Sequence, residues 1–291
     1  MNVRGIAAVT VAILACSDGS GPTPPPALTF DLLRGSHRGI YRAKIDGTDS
    51  LRLTPDSADD RQPTSGGGVI VFVSNRDGNG ELYAMPATGG SATRLTFTTA
   101  NEAYPALSPD GTRLAYTRDD GGLTRLWISS ADGSGSVRVT DSLDFGGAVD
   151  VSPTWAPGSD RVAFVSTTTG AARLYVLTLN GMTIAPLLAD TAPDVEPSWS
   201  PDGTRLAFAS GAGGGARIAV LNLGSHAVTL LTPDTAQCGQ PAWLPDGRIV
   251  FLKESGTPGL AWLDPAHPSV LYSIDVGPGT PGHPAPIVPD R

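Results

Sequence analysis

The sequence predicts an all-β protein: a six-bladed propeller of four-stranded antiparallel blades. Three observations carry this. A proline that opens an inner strand recurs at Pro63, Pro105, Pro153, Pro197, Pro241 and Pro284, with spacings of 42, 48, 44, 44 and 43 residues. A fixed period in this range marks a solenoid, a propeller or an array. Within each period, four short strand patterns are separated by turn residues, which is the content of one propeller blade. The two ends of the chain each carry part of one further copy, so the repeat closes on itself.

The N-terminus comes first and reads as a targeting segment. Arg4 precedes a short apolar run, Ile6 to Leu14, too short to span a bilayer as a stable helix. The sequence Ile13-Leu14-Ala15-Cys16 is similar to the bacterial lipoprotein signal, in which the cysteine is lipidated and becomes the first residue. Residues 1–15 are thus expected to be a signal peptide and Cys16 the lipid-bearing residue; an ordinary secretory signal cleaved near Ala15 is the alternative. Residues 16–27, rich in Gly, Ser and Pro, fit a tether. By the same resemblance, Ser17 after the cysteine implies the outer membrane, on its periplasmic face.

The propeller is expected over residues 28–291, which is 264 residues or six repeats of 44. The first blade begins incomplete. Phe30, Arg34, Tyr41, Gly47 and Leu53-Thr54 match Phe72, Arg76, Tyr83, Gly89 and Leu95-Thr96 one copy later. Its missing inner strand is expected from the C-terminal run beginning at Pro284, which would cover edges otherwise left open. The second copy replaces its turn with Thr64-Ser-Gly-Gly-Gly68 yet keeps Val69-Ile-Val-Phe-Val73. The fifth copy is the clearest: Glu196-Pro-Ser-Trp-Ser-Pro-Asp-Gly-Thr-Arg-Leu-Ala-Phe-Ala-Ser210, then strands at Arg217–Leu223 and Val228–Thr232. Its Pro201-Asp202-Gly203 step is a turn, with proline presetting φ, aspartate bonding nearby backbone and glycine taking positive φ. The same turn recurs at Pro109-Asp110-Gly111 and Pro245-Asp246-Gly247.

Composition agrees and narrows the partners. The chain holds 36 glycines and 26 prolines in 291 residues, as many short strands joined by turns require. A formal net charge of −8 disfavours nucleic acid and anionic lipid headgroups, so membrane attachment would come from the lipid alone. Cleavage would leave Cys238 as the thiol not carrying lipid, and no internal disulfide is expected.

The run from Pro197 to Ser210, with Ser74-Asn-Arg-Asp-Gly-Asn79 and Asp132-Gly133, resembles the WD40-like (PD40) repeats of TolB-type propellers. The resemblance covers nearly the whole mature chain. It implies a six-bladed fold whose members bind partner proteins of the cell envelope. TolB-type proteins carry an additional N-terminal α/β domain, and the repeat here fills the chain, so that domain is expected to be lacking.

Candidate site residues follow from the proline alignment, because the segments before the inner strands should converge at one mouth of the central channel. Three positions before the prolines stand Asp60, Glu102, Asp150, Asp194, Cys238 and Pro281. Immediately before them stand Gln62, Tyr104, Ser152, Glu196, Gln240 and His283. A polar, acidic mouth is expected, with Asp60, Glu102, Asp150, Asp194, Glu196, Tyr104, Gln240 and His283 engaging a cationic segment of a protein or peptide, or alternatively a divalent cation. The competing reading makes the carboxylates turn caps and backbone acceptors. Trp155, Trp199 and Trp243 are expected to pack between blades rather than form a binding platform, and Asp110, Asp202 and Asp246 to be turn residues. The stretch Asp77-Gly-Asn-Gly-Glu81 has alternating oxygens but lacks EF-hand spacing, and fits a hairpin.

Catalytic motifs are absent: there is no Gly-x-Ser-x-Gly elbow and no His-Glu-x-x-His. His37, His226, His267 and His283 are scattered, unlike the clustered channel histidines of metal-dependent propeller lyases. Cys238 reads as a buried filler. The expectation is a monomeric, non-enzymatic envelope binding protein with no cofactor and no resident metal. The alternative is a metal-assisted lyase or hydrolase acting on a glycan or peptide in the channel.

Overall fold

The computed structural model describes residues 27–140, 148–188, 193–211, 215–233, 235–256 and 258–287. Cys16, the signal segment and nearly all of the tether lie outside these residues. Six four-stranded antiparallel sheets form the ring. Blade one holds β1 (Ala27–Arg34), β2 (His37–Lys44) and β3 (Leu51–Arg52). Blade two holds β4 (Asp60–Gly66), β5 (Val69–Ser74), β6 (Glu81–Pro86) and β7 (Thr93–Arg94). Blade three holds β8 (Glu102–Leu107), β9 (Arg113–Asp119), β10 (Thr124–Ser130) and β11 (Val137–Arg138). Blade four holds β12 (Asp150–Trp155), β13 (Arg161–Ser166), β14 (Arg173–Thr178) and β15 (Thr183–Pro186). Blade five holds β16 (Asp194–Trp199), β17 (Arg205–Ser210), β18 (Arg217–Asn222) and β19 (Val228–Leu230). Blade six holds β20 (Cys238–Trp243), β21 (Ile249–Lys253), β22 (Gly259–Leu263) and β23 (Tyr272–Ile274).

The ring closes as the sequence predicts. Strand β24 (Thr280–Pro286) pairs antiparallel with β1, placing Leu32 opposite Pro281 and Leu28 opposite Pro286, and completes blade one from the inside. The paired strand begins before Pro284. Ser65 of blade two donates to the Pro286 carbonyl, tying the closing strand to the neighbouring blade as well.

The core lies between blades. Second strands are buried on both faces, so they read as continuous apolar runs rather than alternating ones: Ile70 to Val73 in β5 and Leu206 to Ala209 in β17 are all 0–1% exposed. Trp199 of blade five packs with Ala163, Val165 and Leu174 of blade four. Trp155 packs with Ala106, Ala115 and Leu126 of blade three, and its indole N–H donates to the Ala106 carbonyl at 2.9 Å. The tryptophans are thus blade-to-blade packing residues. Burying one such side chain contributes about 2–3 kcal/mol.

The short outer strands are extended by one device. Thr54, Thr96, Thr140 and Thr232 each follow an outer strand, and each hydroxyl accepts the N–H of Ile40, Leu82, Leu126 and Ile218 in turn, at 2.9–3.0 Å. The Leu-Thr or Val-Thr pair ending most repeats therefore prolongs the ladder after the backbone has left it. Asp110 and Asp202 cap their turns as expected, accepting from the N–H groups of Thr112 and Thr204 at 3.0 Å.

Candidate functional site

Every inner strand carries the same irregularity. The residue before the proline has left-handed backbone: Gln62 (φ 54°), Tyr104 (49°), Ser152 (54°), Glu196 (57°), Gln240 (53°) and His283 (44°). Pairing with the next strand slips at this point in all six blades. The sequence explains the location. Proline has no N–H to give to the ladder, so a bulge that breaks the ladder there loses no bond. Holding a non-glycine residue in this region still costs on the order of 1 kcal/mol each, and such strain concentrates at functional sites.

The bulge turns these six side chains inward. They line a cavity of about 430 Å³ on the channel axis, walled by the repeat prolines and bordered by Trp155, Trp199 and Trp243. The cavity extends along the channel to the exposed turns at Pro109, Pro201 and Pro245.

The inward side chains bond one another's backbones around the ring. Gln62 Oε1 accepts the Tyr104 N–H at 3.0 Å, Glu196 Oε2 accepts that of Gln240 at 2.6 Å, and Gln240 Oε1 accepts that of His283 at 2.5 Å. Asp31 of β1 completes the circuit. Its Oδ1 meets His283 Nδ1 at 2.7 Å and accepts the Gln62 N–H at 3.2 Å, while Oδ2 pairs with Arg38. Tyr104 and Ser152 interrupt the relay, since a phenol and a short hydroxymethyl do not reach the next N–H. Among the described residues, no side chain accepts the N–H of Ser152 or of Glu196.

Charge in the cavity is concentrated on few groups. Burial pushes the Glu196 carboxyl up, against the Gln240 N–H and the His283 ring, which favour its ionised form. Burial also raises the Tyr104 phenol, helped by the nearby Glu196 charge. Burial works to raise Asp31, but its bond to His283 and the charges of His283 and Arg38 outweigh it and hold the carboxyl below its usual range. The Tyr104 and His283 rings meet edge to face at 6.5 Å. Tyr104, Glu196 and His283 thus converge in one chamber.

The structure separates the two sets of residues that the sequence alignment places together. Gln240, Glu196, Tyr104 and His283 line the cavity. Asp60, Glu102, Asp150 and Asp194 do not: they are 0–1% exposed and lie away from its wall. In an uninterrupted strand, positions one and three before the proline would share a face. The bulge breaks that alternation and leaves the earlier residue in the seam with the preceding blade. There the N–H groups of Glu102 and Asp194 bond the carbonyls of Gly80 and Ala172 one blade back, while Asp60 accepts from Arg76 of its own blade at 3.0 Å. The acidic mouth is corrected to a mainly neutral polar floor with one inward carboxylate, Glu196. Asp31 is the member of the hydrogen-bonded ring that the alignment misses. Its signal is a carboxylate at the core position that Val73, Val165, Ala209 and Leu252 occupy in other copies.

Other candidates resolve locally. Asp77 and Glu81 share Arg94, at 2.9 and 2.8 Å, and Asp77 also binds the Tyr83 hydroxyl, so this hairpin is held by arginine. Cys238 is 1% exposed, and burial pushes its thiol up to about 11, which suppresses the thiolate.

Comparison with known proteins identifies this architecture. The PD40 family profile, the TolB beta propeller domain, matches residues 24–146 and 143–264. The chain belongs to the TolB β-propeller family. A TolB homolog of Chlorobaculum tepidum is 32% identical over 189 residues, covering 62% of this chain and 42% of that protein. The Tol-Pal system protein TolB of Anaeromyxobacter dehalogenans is 40% identical over 89 residues, 31% of this chain and 19% of that one. The chain thus spans less than half the length of the curated relatives it matches. The crystal structure of TolB from Acinetobacter baumannii superposes with a TM-score of 0.80 at 18% identity, covering 91% of this chain and 67% of that one. A puromycin-hydrolysing peptidase of Mycobacterium tuberculosis shares the fold at a TM-score of 0.63, with 16% identity and 43% of that chain covered.

Proposed function

We propose that this chain is a non-enzymatic binding propeller of the bacterial cell envelope, which holds a protein or peptide partner in its central cavity. The observation that carries the reading is the ring of six strained residues aimed at one chamber. A scaffold alone has no use for that strain in all its copies. The chamber offers rigid apolar walls, amide groups that can bond a peptide backbone, and Glu196 to meet a single cationic group of the partner. That relatives bear the name of the Tol-Pal system supports an envelope partner. Lipid attachment at Cys16 and residence at the outer membrane belong to the same proposal and rest on the N-terminal sequence.

The test is crosslinking and co-purification from cells, comparing wild type with Glu196→Gln and Tyr104→Ala. A charge-assisted hydrogen bond contributes about 1.5–3 kcal/mol, so Glu196→Gln should weaken capture at least tenfold while the protein stays folded. Undiminished capture by both variants would remove the cavity from the function.

A further inference from the structure

One seam of the ring breaks the pattern of the others. The residue opening the third strand of a blade abuts the residue three before the proline of the next blade. The equivalent residue is Arg125, second in β10, in blade three, and Arg173 and Arg217, first in β14 and β18, in blades four and five. In blade two it is Glu81, and its neighbour across the seam is Glu102. Both are 0% exposed, and the two carboxyls meet at Thr98, whose N–H donates to Glu81 Oε1 at 3.0 Å and whose hydroxyl donates to Glu102 Oε1 at 2.8 Å. Two buried carboxylates sharing one site repel, so a proton held by one of them stabilises the pair.

We propose that Glu81 and Glu102 form a proton-dependent latch between blades two and three, in which one proton fixes the loop at residues 97–101 and the start of β8. Glu81 is the member paired with an arginine. Its Oε1 accepts from Arg94 at 2.8 Å, Asn79 at 3.0 Å and the Thr98 N–H at 3.0 Å, while Oε2 is buried without a hydrogen-bond partner among the described residues. Glu102 is the proton carrier. Its neighbours are the hydroxyls of Thr98 at 2.8 Å and Thr96 at 3.3 Å, which are weaker than an arginine at stabilising charge. Burial, followed by the Glu81 charge, lifts the Glu102 carboxyl to about 7. That is a proton affinity roughly 300-fold above that of an ordinary glutamate.

The surrounding charges leave no substitute for the proton. Arg94 is divided between Glu81 and Asp77, and Arg118 on β9 is paired with Asp120 at 2.8 Å. Arg61 on β4 pairs with Asp59 at 3.2 Å, and Tyr116 on β9 donates to Ser136 at 2.9 Å. The shell around the pair is made of donors, which suits anions and a proton rather than a metal ion. Both carboxyls hold Thr98, so deprotonation puts two negative charges under the loop that displays Phe97, itself 75% exposed. Glu102 also lies two residues before Tyr104, so the same proton steadies one wall of the cavity.

The experiment is carboxyl carbon-13 NMR titration of the mature chain, from pH 5 to 9, with urea denaturation across the same range. One glutamate should titrate near 7, disappear in Glu102→Gln and move to lower pH in Glu81→Gln, with Glu196→Gln leaving it in place. Amide signals of residues 98–101 should shift with the same midpoint. The folded value of Glu102 lies above the unfolded one, so wild-type stability should fall as pH rises from about 5 to about 7.5 and level off above it, and that of Glu102→Gln should not. No glutamate titrating between pH 6 and 8, or one that survives Glu102→Gln, would overturn the latch. So would stabilisation by added calcium that Glu102→Gln abolishes.

Discussion

Glycine in a strand interior normally weakens it, by about 0.5–1 kcal/mol relative to alanine. At Ser152 the structure reverses that sign. Its φ is 54°, a region that costs an L-residue about 1–2 kcal/mol and glycine essentially nothing. Ser152 provides no acceptor to the ring of inward side chains, so its replacement breaks none of those bonds. Relief of about 1–2 kcal/mol minus a chain-entropy loss of about 0.5–1 leaves Ser152→Gly more stable by about 0.5–1 kcal/mol. For a domain of this size that raises Tm by roughly 1–4 °C. Urea denaturation is the assay, read as a higher midpoint at unchanged slope. Ser152→Ala serves as reference, since it removes the hydroxyl and keeps the strain. Gln240→Gly relieves the same strain but strips the acceptor from the His283 N–H, so it should gain nothing. A Ser152→Gly midpoint below that of Ser152→Ala would refute the claim that this bulge stores strain.

Three further outcomes follow from the same geometry. Gly133→Ala should destabilise far more than Gly121→Ala: both glycines have positive φ, but a Cβ on Gly133 would lie 2.2 Å from the Leu95 carbonyl oxygen and one on Gly121 meets nothing; differential denaturation should separate them by more than about 2 kcal/mol. Cys238 should resist alkylation at pH 8 in the native protein and react at the rate of unfolding, measured by mass spectrometry in increasing urea. Asp202 is held at about 2 by the Ser200 hydroxyl and the Thr204 N–H. Its folded pKa lies below the unfolded one, so its contribution is present above pH 4 and lost as pH falls toward 2. The carboxylate is largely exposed, so Asp202→Asn should flatten that acid limb by well under 1 kcal/mol.

The fold was legible because each copy spells out its own blade. The prolines gave the period, the Pro-Asp-Gly steps gave the first turns, and the match of Phe30 with Phe72 gave the closing blade. The site was less legible, for a definite physical reason. A residue before proline is steered toward extended backbone, so nothing in Tyr104-Pro105 or Glu196-Pro197 announces a left-handed turn. Without that turn, positions one and three before the proline share a face, and Asp60 and Asp194 belong beside Gln62 and Glu196. The inward set was found and the buried set was misplaced by one unseen irregularity. Asp31 was visible in principle, as a carboxylate where the other copies are mostly apolar, but its partner His283 lies 252 positions away and meets it only when the ring closes.

Six copies of one backbone make the exceptions informative. The left-handed residue is structurally the same six times, yet its identity runs Gln, Tyr, Ser, Glu, Gln, His, so packing does not dictate it. Where the copies agree, at the second-strand aromatics, the inner prolines or the outer Leu-Thr pairs, the residue has an architectural reason. Where they disagree without loss of fold, the residue is free to serve the cavity. The seam positions obey the same logic. In three blades an arginine stands there, and Arg125 donates to the Ala148 carbonyl at the start of the next blade, whereas Glu81 is an acid. It places a second acid beside Glu102, and a proton on Glu102 relieves their repulsion. The cavity ring is strained alike in every copy, the Glu81–Glu102 seam departs from the repeat, and the two meet on one short strand, where Glu102 and Tyr104 stand two residues apart.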